Sequence, residues 1–372
     1  MVGGGQLARM SHQAAIALGQ SLRVLATDPD ESAALVAADV HLGAPDDLEA
    51  LRRFAKGCDV VTFDHEHVPG DHIRALAAAG VVVHPGAEAL HYAQDKLAMR
   101  QRLGELDIPV PRWLVVTDAA EVDRLASDAG WPVVAKALRG GYDGRGVWLL
   151  AGPADARARL EANGGPLLVE ERVALRRELA VQVARSPFGQ VAVYPVVETV
   201  QQDGICVEVL APAPDLPDTR AGTIHQLAVR LATELDVVGL LTVELFETGD
   251  GVLVNELAMR PHNSGHWTID GARTSQFEQH LRAVLDYPLG ETTLEAPAVA
   301  MANVLAAADP RLSLDERLHH TLAAEPGTKV HLYGKRERPG RKVGHVTARG
   351  GDLSEVRARA GRAARILREG PP

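Results

Sequence analysis

The stretch 243–267 constrains this chain more than any other, because it combines a predicted β-hairpin with two acidic residues. Two apolar runs flank Gly249-Asp250-Gly251, and three-residue loops with glycine commonly join antiparallel strands. With that loop, Glu244 falls opposite Glu256. Directly opposed side chains lie about 5 Å apart at Cβ on one sheet face, so the two carboxylates repel each other unless a cation lies between them. Mg²⁺ prefers such oxygen ligands. The alternative is a pair of solvated surface glutamates.

Length and composition indicate a soluble protein of two or three domains. The 372 residues exceed what one core supports, and 46% hydrophobic with 24% charged residues is typical of globular chains. A net charge of −10 argues against a nucleic-acid binder. Cys58 and Cys206 lack the spacing of a metal site and fit a reducing cytoplasm. No apolar run approaches ~18 residues, so we expect no membrane span.

The first ninety residues predict a small open α/β domain. Gly3-Gly4-Gly5-Gln6-Leu7-Ala8 matches the glycine pattern that leads a strand into a helix and receives a phosphate or ribose. Only Met1 and Val2 precede this loop, so either the first strand is a stub or the true start lies upstream. Apolar runs predict parallel strands at 23–27, 60–63 and 81–83, with helices at 6–18, 46–55 and 69–79.

A polar run, Asp64-His65-Glu66-His67, follows the second of these predicted buried runs. Doubly wound sheets bind ligands at this edge. Metal binding by the run is disfavoured, because consecutive residues rarely converge on one ion. We assign the run no role.

A glycine-rich loop follows a predicted strand at 131–138 that contains one lysine, Lys136. Such a lysine either extends to solvent from a sheet edge or directs its charge at phosphate. Residues 140–146 contain four glycines, which let backbone N–H groups close over phosphate oxygens. The alternative is an ordinary hairpin loop leading to the strand at 147–150. Because Lys136 lies just upstream, the pattern favours a flap that covers phosphate.

The remaining elements are predicted from apolar periodicity, with helices at 94–108, 221–235 and 352–368 and strands at 166–169, 299–304 and 328–332. The strand at 166–169 leads into a segment that could offer backbone groups to a purine, although spacing alone leaves this open. Residues 333–345 form a basic turn around Pro339-Gly340. Basic turns are usually solvated surface, but this one suits a compact dianion such as a sugar phosphate.

Taken in order, these features resemble the ATP-grasp superfamily and, within it, the family of 5-(carboxyamino)imidazole ribonucleotide synthases. Four motifs support the resemblance, at 3–10, 140–146, 255–267 and 338–345. The resemblance implies an ATP-grasp fold with mixed α/β and α+β content. It implies an open parallel Rossmann-like domain over 1–92, an ATP-grasp domain over 93–292 with a flap subdomain at about 113–170, and a small β-rich domain over 293–372.

The implied reaction converts ATP, bicarbonate and 5-aminoimidazole ribonucleotide (AIR) into the carboxyamino product, ADP and phosphate, through carboxyphosphate, in purine biosynthesis. ATP and Mg²⁺ are the implied cofactors, and a cytoplasmic homodimer without nucleic-acid or membrane partners is expected. Another ATP-grasp ligase, such as formate-dependent glycinamide ribonucleotide transformylase, is the main alternative. An NAD-dependent oxidoreductase would explain only the first thirty residues, and a non-catalytic nucleotide-binding regulator would lack the acid pair.

The resemblance also assigns roles to positions. ATP phosphates are assigned to Lys96, Lys136, Gly140, Gly141, Tyr142, Asp143, Gly144, Arg145 and Gly146. Adenine is assigned to Glu170, Glu171, Arg172 and Val173, ribose to Glu178, and Mg²⁺ to Glu244 and Glu256, with Asn255 beside them at the ATP. The AIR pocket is assigned to Gln6, Tyr142, Asp143, Arg145, Arg260, His262, Asn263 and Ser264, and the AIR phosphate to Lys335, Arg341 and Lys342. Arg260, His262 and Asn263 are the catalytic candidates, and His262 is the candidate acceptor of the amine proton.

Overall fold

Residues 1–141 and 144–371 are described by a computed structural model, and three β-sheets organise them. The N-terminal part is a parallel sheet flanked by helices: α1 (Gln6–Ala17), β1 (Val24–Ala26), β2 (Val40–Leu42), α2 (Leu48–Ala55), α3 (Gly70–Ala78) and α4 (Ala87–Gln94). β1 pairs in parallel with β2, and isolated parallel bridges join Val2 to Leu25 and Phe63, and Val61 to Val83.

Val2 is fully buried between Leu25 and Phe63, the two residues with which it forms parallel bridges. The apolar runs at 60–63 and 81–83 were predicted as strands, but they make only isolated bridges. Their hydrogen bonds nevertheless hold the sheet together, because Val2 donates to Thr62 O at 2.8 Å and accepts from the N–H of Asp64 at 3.0 Å. The predicted open parallel domain is confirmed, although its strands are shorter than predicted.

The middle part begins with α5 (Lys96–Glu105) and a four-stranded antiparallel sheet. Its elements are β3 (Trp113–Val116), α6 (Ala119–Ala129), β4 (Val133–Ala137), β5 (Val147–Leu150), α7 (Pro153–Asn163) and β6 (Leu167–Glu171), with strand order β3-β6-β4-β5. The predicted helix 94–108 begins only at Lys96, because the Asp95 side chain accepts the N–H groups of Leu97 and Ala98 as an N-cap. Helices α6 and α7 pack on one sheet face, so the opposite face is left for Lys136 and Glu170.

A nine-stranded sheet joins the middle and C-terminal parts. Its order is β12-β11-β7-β9-β10-β13-β15-β14, with β8 beside β7. The elements are β7 (Arg177–Arg185), β8 (Val191–Val193), β9 (Val197–Gln202), β10 (Ile205–Ala211), α8 (Asp218–Glu234), β11 (Gly239–Glu247), β12 (Val252–Ala258), α9 (Thr268–Gly271), α10 (Gln276–Val284), β13 (Ala298–Leu305), α11 (Leu314–Ala324), β14 (Lys329–Leu332), β15 (Lys342–Gly350) and α12 (Leu353–Glu369). Because β10 pairs with β13, the sheet runs without a break across the predicted boundary at residue 293.

The acidic hairpin contains a β-bulge that the sequence analysis did not predict. Glu247 pairs with Val252, so the loop has four residues, 248–251, and the predicted three-residue loop is wrong. That register alone would pair Glu244 with Asn255. The register shifts between Glu244 and Leu245, and Glu244 pairs with Glu256 instead. The predicted acid pairing is therefore confirmed, because one extra residue in β12 compensates for the longer loop.

No helix within the described ranges is both long and apolar enough to span a membrane.

Candidate active site

The acid pair lies where the four-stranded and nine-stranded sheets approach each other. Lys96 Nζ is 2.6 Å from Glu256 Oε1, and Lys136 Nζ donates to Asn255 Oδ1 at 3.0 Å. Asn255 and Glu256 are consecutive, yet each contacts a lysine, because bulges re-aim side chains that would otherwise alternate between sheet faces. The structure thus brings together residues from α5, β4 and β12 that were predicted separately as ATP ligands.

The electrostatics of the acid pair favour a bound cation. Burial and the negative charges of Glu256 and Glu178 raise the pKa of Glu244 to about 8. Burial also opposes ionisation of Glu256, but the nearby charges of Lys96 and Lys136 outweigh it and lower the pKa of that carboxyl. The two metal candidates therefore form an oxygen-only pair, in which Lys96 neutralises Glu256 and the raised pKa of Glu244 reflects the cost of a second negative charge. That donor set fits Mg²⁺, which is usually held by one or two carboxylates together with phosphate oxygens.

The residues predicted to hold adenine fall into two groups. Glu170 is buried, and its side chain is 2.6 Å from both Arg100 Nη2 and Lys136 Nζ, so two cations engage it. Glu171, the last residue of β6, pairs with Arg112 at 2.8 Å. Beyond Glu171 the chain leaves β6, and Arg172 is exposed. Glu178, the ribose candidate, is partly exposed on β7, and burial raises its pKa.

The catalytic candidates lie on the turn that follows β12. His262 Nε2 is 3.5 Å from Glu244 Oε1, and its Nδ1 lies 2.9 Å from Ser264 Oγ. Burial, with smaller contributions from the charges of Arg260 and Lys342, lowers the pKa of His262 to about 3, so the imidazole is neutral at pH 7. Arg260 forms an ion pair with Glu66 at 2.7 Å.

Three residues that the sequence analysis missed hold this turn in place. Gln276 accepts the N–H of His262 at 2.9 Å and donates to its carbonyl at 2.8 Å. Gln182 donates to Ser264 Oγ at 2.9 Å. Asn303 exchanges two amide hydrogen bonds with Asn263, at 3.0 and 2.7 Å. No local pattern marks these residues, because each comes from a different element.

The basic turn lies against the N-terminus of α1. Lys335 Nζ donates to Gln6 Oε1, and Ser32 Oγ donates to the carbonyl of Tyr333. Helix N-termini favour anions. The predicted phosphate residue Lys335 and the predicted AIR residue Gln6 therefore lie together where a phosphate group would be stabilised. Lys342 differs, because it is buried at the start of β15 and its charge acts on Glu244 and His262. Arg341 is partly exposed and donates to the carbonyl of Arg336 at 3.2 Å.

Comparisons with known proteins cover all three parts of the chain. Family models match a ribonucleotide synthetase preATP-grasp domain over residues 1–94, an ATP-grasp domain over 101–277 and a phosphoribosylaminoimidazole carboxylase C-terminal domain over 299–359. The N5-carboxyaminoimidazole ribonucleotide synthase of Mycobacterium tuberculosis (strain ATCC 25618 / H37Rv) is 61% identical over 375 residues, which cover 100% of this chain and 87% of the relative. The chain belongs to the N5-carboxyaminoimidazole ribonucleotide synthase family.

Two solved members of the N5-carboxyaminoimidazole ribonucleotide synthase family have the same architecture. The crystal structure from Thermus thermophilus matches with a TM-score of 0.88 at 38% identity and covers 100% of both chains. The Aspergillus clavatus synthase, solved in complex with ADP and AIR, matches with a TM-score of 0.88 at 32% identity and covers 98% of each chain. The predicted family and ATP-grasp fold are confirmed.

In this synthase family member, the predicted flap is described except at its centre. Tyr142 and Asp143 lie outside the described residues. A Cβ on Gly141, which has a φ of +88°, would lie 2.4 Å from the carbonyl oxygen of Arg145, so only glycine fits where the loop folds back on itself. The loop joins β4 to β5, directly beyond Lys136.

The polar run Asp64-His65-Glu66-His67 contacts both the N-terminal glycine loop and the turn that follows β12. Asp64 Oδ2 accepts the N–H of Gly5 at 2.7 Å, so the glycine loop and the run are in contact. Burial raises the pKa of Asp64. Glu66 holds Arg260 as described above, which gives this run a contact with the catalytic candidates that its sequence did not reveal.

Proposed function

We propose that this chain uses ATP and bicarbonate to carboxylate AIR, giving N5-carboxyaminoimidazole ribonucleotide, ADP and phosphate in de novo purine (IMP) biosynthesis. The observation that supports this best is one cleft in which the carboxylates of Glu244 and Glu256 lie beside Lys96, with His262 3.5 Å from Glu244. Membership of the synthase family supports the same activity.

The chemistry requires such a cleft. Bicarbonate is a poor electrophile, and its phosphorylation to carboxyphosphate makes it reactive toward an amine. Phosphoryl transfer depends on positioning and on neutralising oxygen charge, which Lys96, Lys136 and flap backbone N–H groups would do. Mg²⁺ held by Glu244 and Glu256 would supply further neutralisation of phosphate charge. Because carboxyphosphate decomposes in water, the flap at 140–146 must exclude solvent while AIR is held close.

His262 has a more limited role in this proposal than the sequence analysis assigned to it. An imidazole with a pKa of about 3 is neutral at pH 7 but is a weak base. The proposal therefore gives His262 a hydrogen-bonding role toward the transferred carboxyl group, together with Asn263. The remaining roles stay as the family resemblance implies them, with adenine near 170–173, ribose at Glu178 and the AIR phosphate at the basic turn.

The domain divisions after residues 92 and 292 also remain proposals, as do a homodimer and a cytoplasmic location. These follow from the family resemblance. Light scattering coupled to size-exclusion chromatography tests the dimer, for which we expect twice the mass of the chain.

The decisive experiment measures ADP release with bicarbonate present, with and without AIR. We expect AIR to stimulate release and the carboxyamino product to form. Glycinamide ribonucleotide with formate serves as the competing acceptor. Stimulation by that pair instead of AIR would assign the chain to the sister ligase and overturn the proposal.

A further inference from the structure

Arg100 is a buried cation to which none of the roles above applies. Only 1% of this residue is exposed, and it lies on α5 one helical turn after Lys96. Its Nε and Nη2 lie 2.7 and 2.6 Å from Glu170 Oε1, and Nη2 also donates to the carbonyl of Asn255 at 2.9 Å. Because Glu170 is on β6 and Asn255 is on β12, one side chain connects α5 to both sheets of the cleft.

The two residues that Arg100 contacts, Glu170 and Asn255, each position a neighbouring candidate ATP ligand. Glu170 uses its other oxygen, Oε2, to hold Lys136 Nζ at 2.6 Å. Asn255 is the bulge residue, and its neighbour Glu256 is the metal candidate paired with Glu244. Substitution of Arg100 would therefore displace Lys136 through Glu170, and Glu256 through the backbone of the bulge.

The charge of Arg100 also matters when Lys136 engages a phosphate. Burial opposes ionisation of Glu170, but Lys136 and Arg100 outweigh it and lower the pKa of the carboxyl. If Lys136 turned toward a nucleotide, Arg100 would be the cation that remains beside Glu170. A buried carboxylate left without any partner is strongly disfavoured. Because Arg100 would still neutralise Glu170, Lys136 could leave that carboxylate and bind a nucleotide phosphate.

Buried ion pairs can also be purely structural, and Arg317 shows what such a pair looks like in this chain. Arg317 is fully buried; its Nε and Nη1 donate to backbone carbonyls, and Nη2 lies 2.6 Å from Glu337 Oε1. Arg100 differs, since its buried Nη1 has no hydrogen-bond partner among the described residues. Buried polar atoms of a purely structural side chain are normally satisfied.

We propose that Arg100 is a positioning residue for ATP, holding Glu170 and the Asn255 bulge so that Lys136 and Glu256 face the nucleotide phosphates and the metal ion. This inference rests on the proposed function for its substrate. The test compares Arg100→Met and Arg100→Lys with Arg317→Met, the matched loss of a buried arginine, in the full-length protein.

The readouts are Mg-ADP binding by calorimetry and the KM values for ATP and AIR. We expect Arg100→Met to weaken Mg-ADP binding and raise the KM for ATP about ten- to a hundredfold, because small displacements of charged groups are costly, while the KM for AIR stays unchanged. Arg317→Met should lower the thermal midpoint and keep the Mg-ADP affinity. Wild-type affinity in Arg100→Met, or an equal loss in Arg317→Met, would overturn the inference.

Two further measurements keep the test decisive. Should Arg100→Met fail to fold, Arg100→Lys retains the charge but not the forked contacts, and a wild-type Mg-ADP affinity there would overturn the inference. Combining Arg100→Met with Glu170→Gln should give a loss smaller than the sum of the single losses, whereas full additivity would reject the route through Glu170. Mg-ADP binding does not require AIR, so it tests the role of Arg100 alone. If the proposed carboxylation were wrong, the wild-type protein would show no turnover of AIR.

Discussion

At the scale of single residues, the pKa values of Glu244 and Glu256 shift in opposite directions, although the two residues are paired across the same hairpin. Lys96 and Lys136 favour the ionised form of Glu256, whereas burial and neighbouring acids raise the pKa of Glu244 to about 8. Without a metal ion, the pair therefore holds about one proton at neutral pH. A divalent cation would favour loss of that proton, which links metal binding to ionisation of Glu244.

The first prediction concerns Glu256→Gln. The change keeps the shape of the side chain but removes one metal-binding charge and the partner of Lys96, so Mg-dependent ATP turnover should fall by about a hundredfold or more. ADP release at saturating ATP measures this, and circular dichroism should show an intact fold.

Glu247→Gln on the same hairpin is the control for Glu256→Gln. Glu247 is buried in ion pairs with Arg177 and Arg220, at 2.5 and 2.6 Å, and should lose stability but retain turnover. Near-normal Mg-dependent turnover in Glu256→Gln would remove the metal assignment.

A second prediction concerns the pH dependence of stability through His280. Its Nδ1 accepts the N–H of Leu240 at 3.2 Å, so Nε2 bears the hydrogen and donates to Thr62 Oγ1 at 2.8 Å. Burial lowers the pKa of His280 to about 3, while in the unfolded chain it titrates near 6.5. The unfolded state therefore binds the proton first, and the stability contributed by neutral His280 is present above about pH 6.5 and is lost as the pH falls toward 3.

His280→Asn should reduce the slope of the unfolding free energy against pH by about 1.4 kcal/mol per pH unit between about pH 4 and pH 6. Urea unfolding at several pH values measures the slope for both proteins, and the comparison cancels the other buried histidines. Identical slopes would mean that His280 titrates normally in the folded state.

At the scale of the element, the bulge in β12 decides what the acidic hairpin presents to the cleft. In a regular strand Asn255 and Glu256 would point to opposite faces, because side chains alternate. The bulge allows both to contact lysines of the cleft, at 3.0 and 2.6 Å.

The basic turn shows a similar dependence on local geometry, since the adjacent residues Arg341 and Lys342 differ in burial.

The third prediction concerns that turn. Arg341→Ala and Lys342→Ala should each raise the KM for AIR while the KM for ATP changes less, because a phosphate would lose a cation. Lys342→Ala should also lower the thermal midpoint, since Lys342 is buried and Arg341 is partly exposed. Steady-state kinetics with each substrate varied in turn measures the effect.

Arg336→Ala is the control for this turn, because its ion pair with Asp30 is exposed, and such pairs contribute about 0–1 kcal/mol. An unchanged KM for AIR in both Arg341→Ala and Lys342→Ala would show that the AIR phosphate binds elsewhere.

At the scale of the whole molecule, the proposed AIR site is assembled from both ends of the chain. Gln6 and Lys335 are 329 positions apart yet share a hydrogen bond, and Ser32 contacts Tyr333 across the same seam. The nine-stranded sheet connects this seam to the acidic hairpin without interruption. A ligand bound at the seam should therefore stabilise the N-terminal and C-terminal parts together.

The fourth prediction follows from that seam. AIR should raise the thermal midpoint of the wild-type protein by mass action, and Lys335→Ala should reduce this rise while leaving the rise caused by Mg-ATP intact. Differential scanning fluorimetry with each ligand alone measures both shifts. Equal AIR-induced shifts in the two proteins would exclude Lys335 from the AIR site.

Local sequence was enough to predict the acidic hairpin, the flap strands and the family, although the pairing of Glu244 with Glu256 also required a bulge that local sequence did not reveal. Each of these depends on contiguous residues, as in the glycine run at 140–146, or on alternation and helical spacing within one element. The family motifs are likewise contiguous, so their order along the chain predicts an ATP-grasp fold without any knowledge of distances.

Long-range pairing decided the rest. Arg100 meets Glu170 and Asn255 at separations of 70 and 155 residues, and no local pattern specifies partners so far along the chain. Its spacing from Lys96 on one helix was the only sequence signal, and many surface helices share it. The bulge was equally hidden, because it appears only in the pairing of β12 with β11. The sequence by itself therefore identified the charged groups, whereas packing between distant elements determined which of them are in contact.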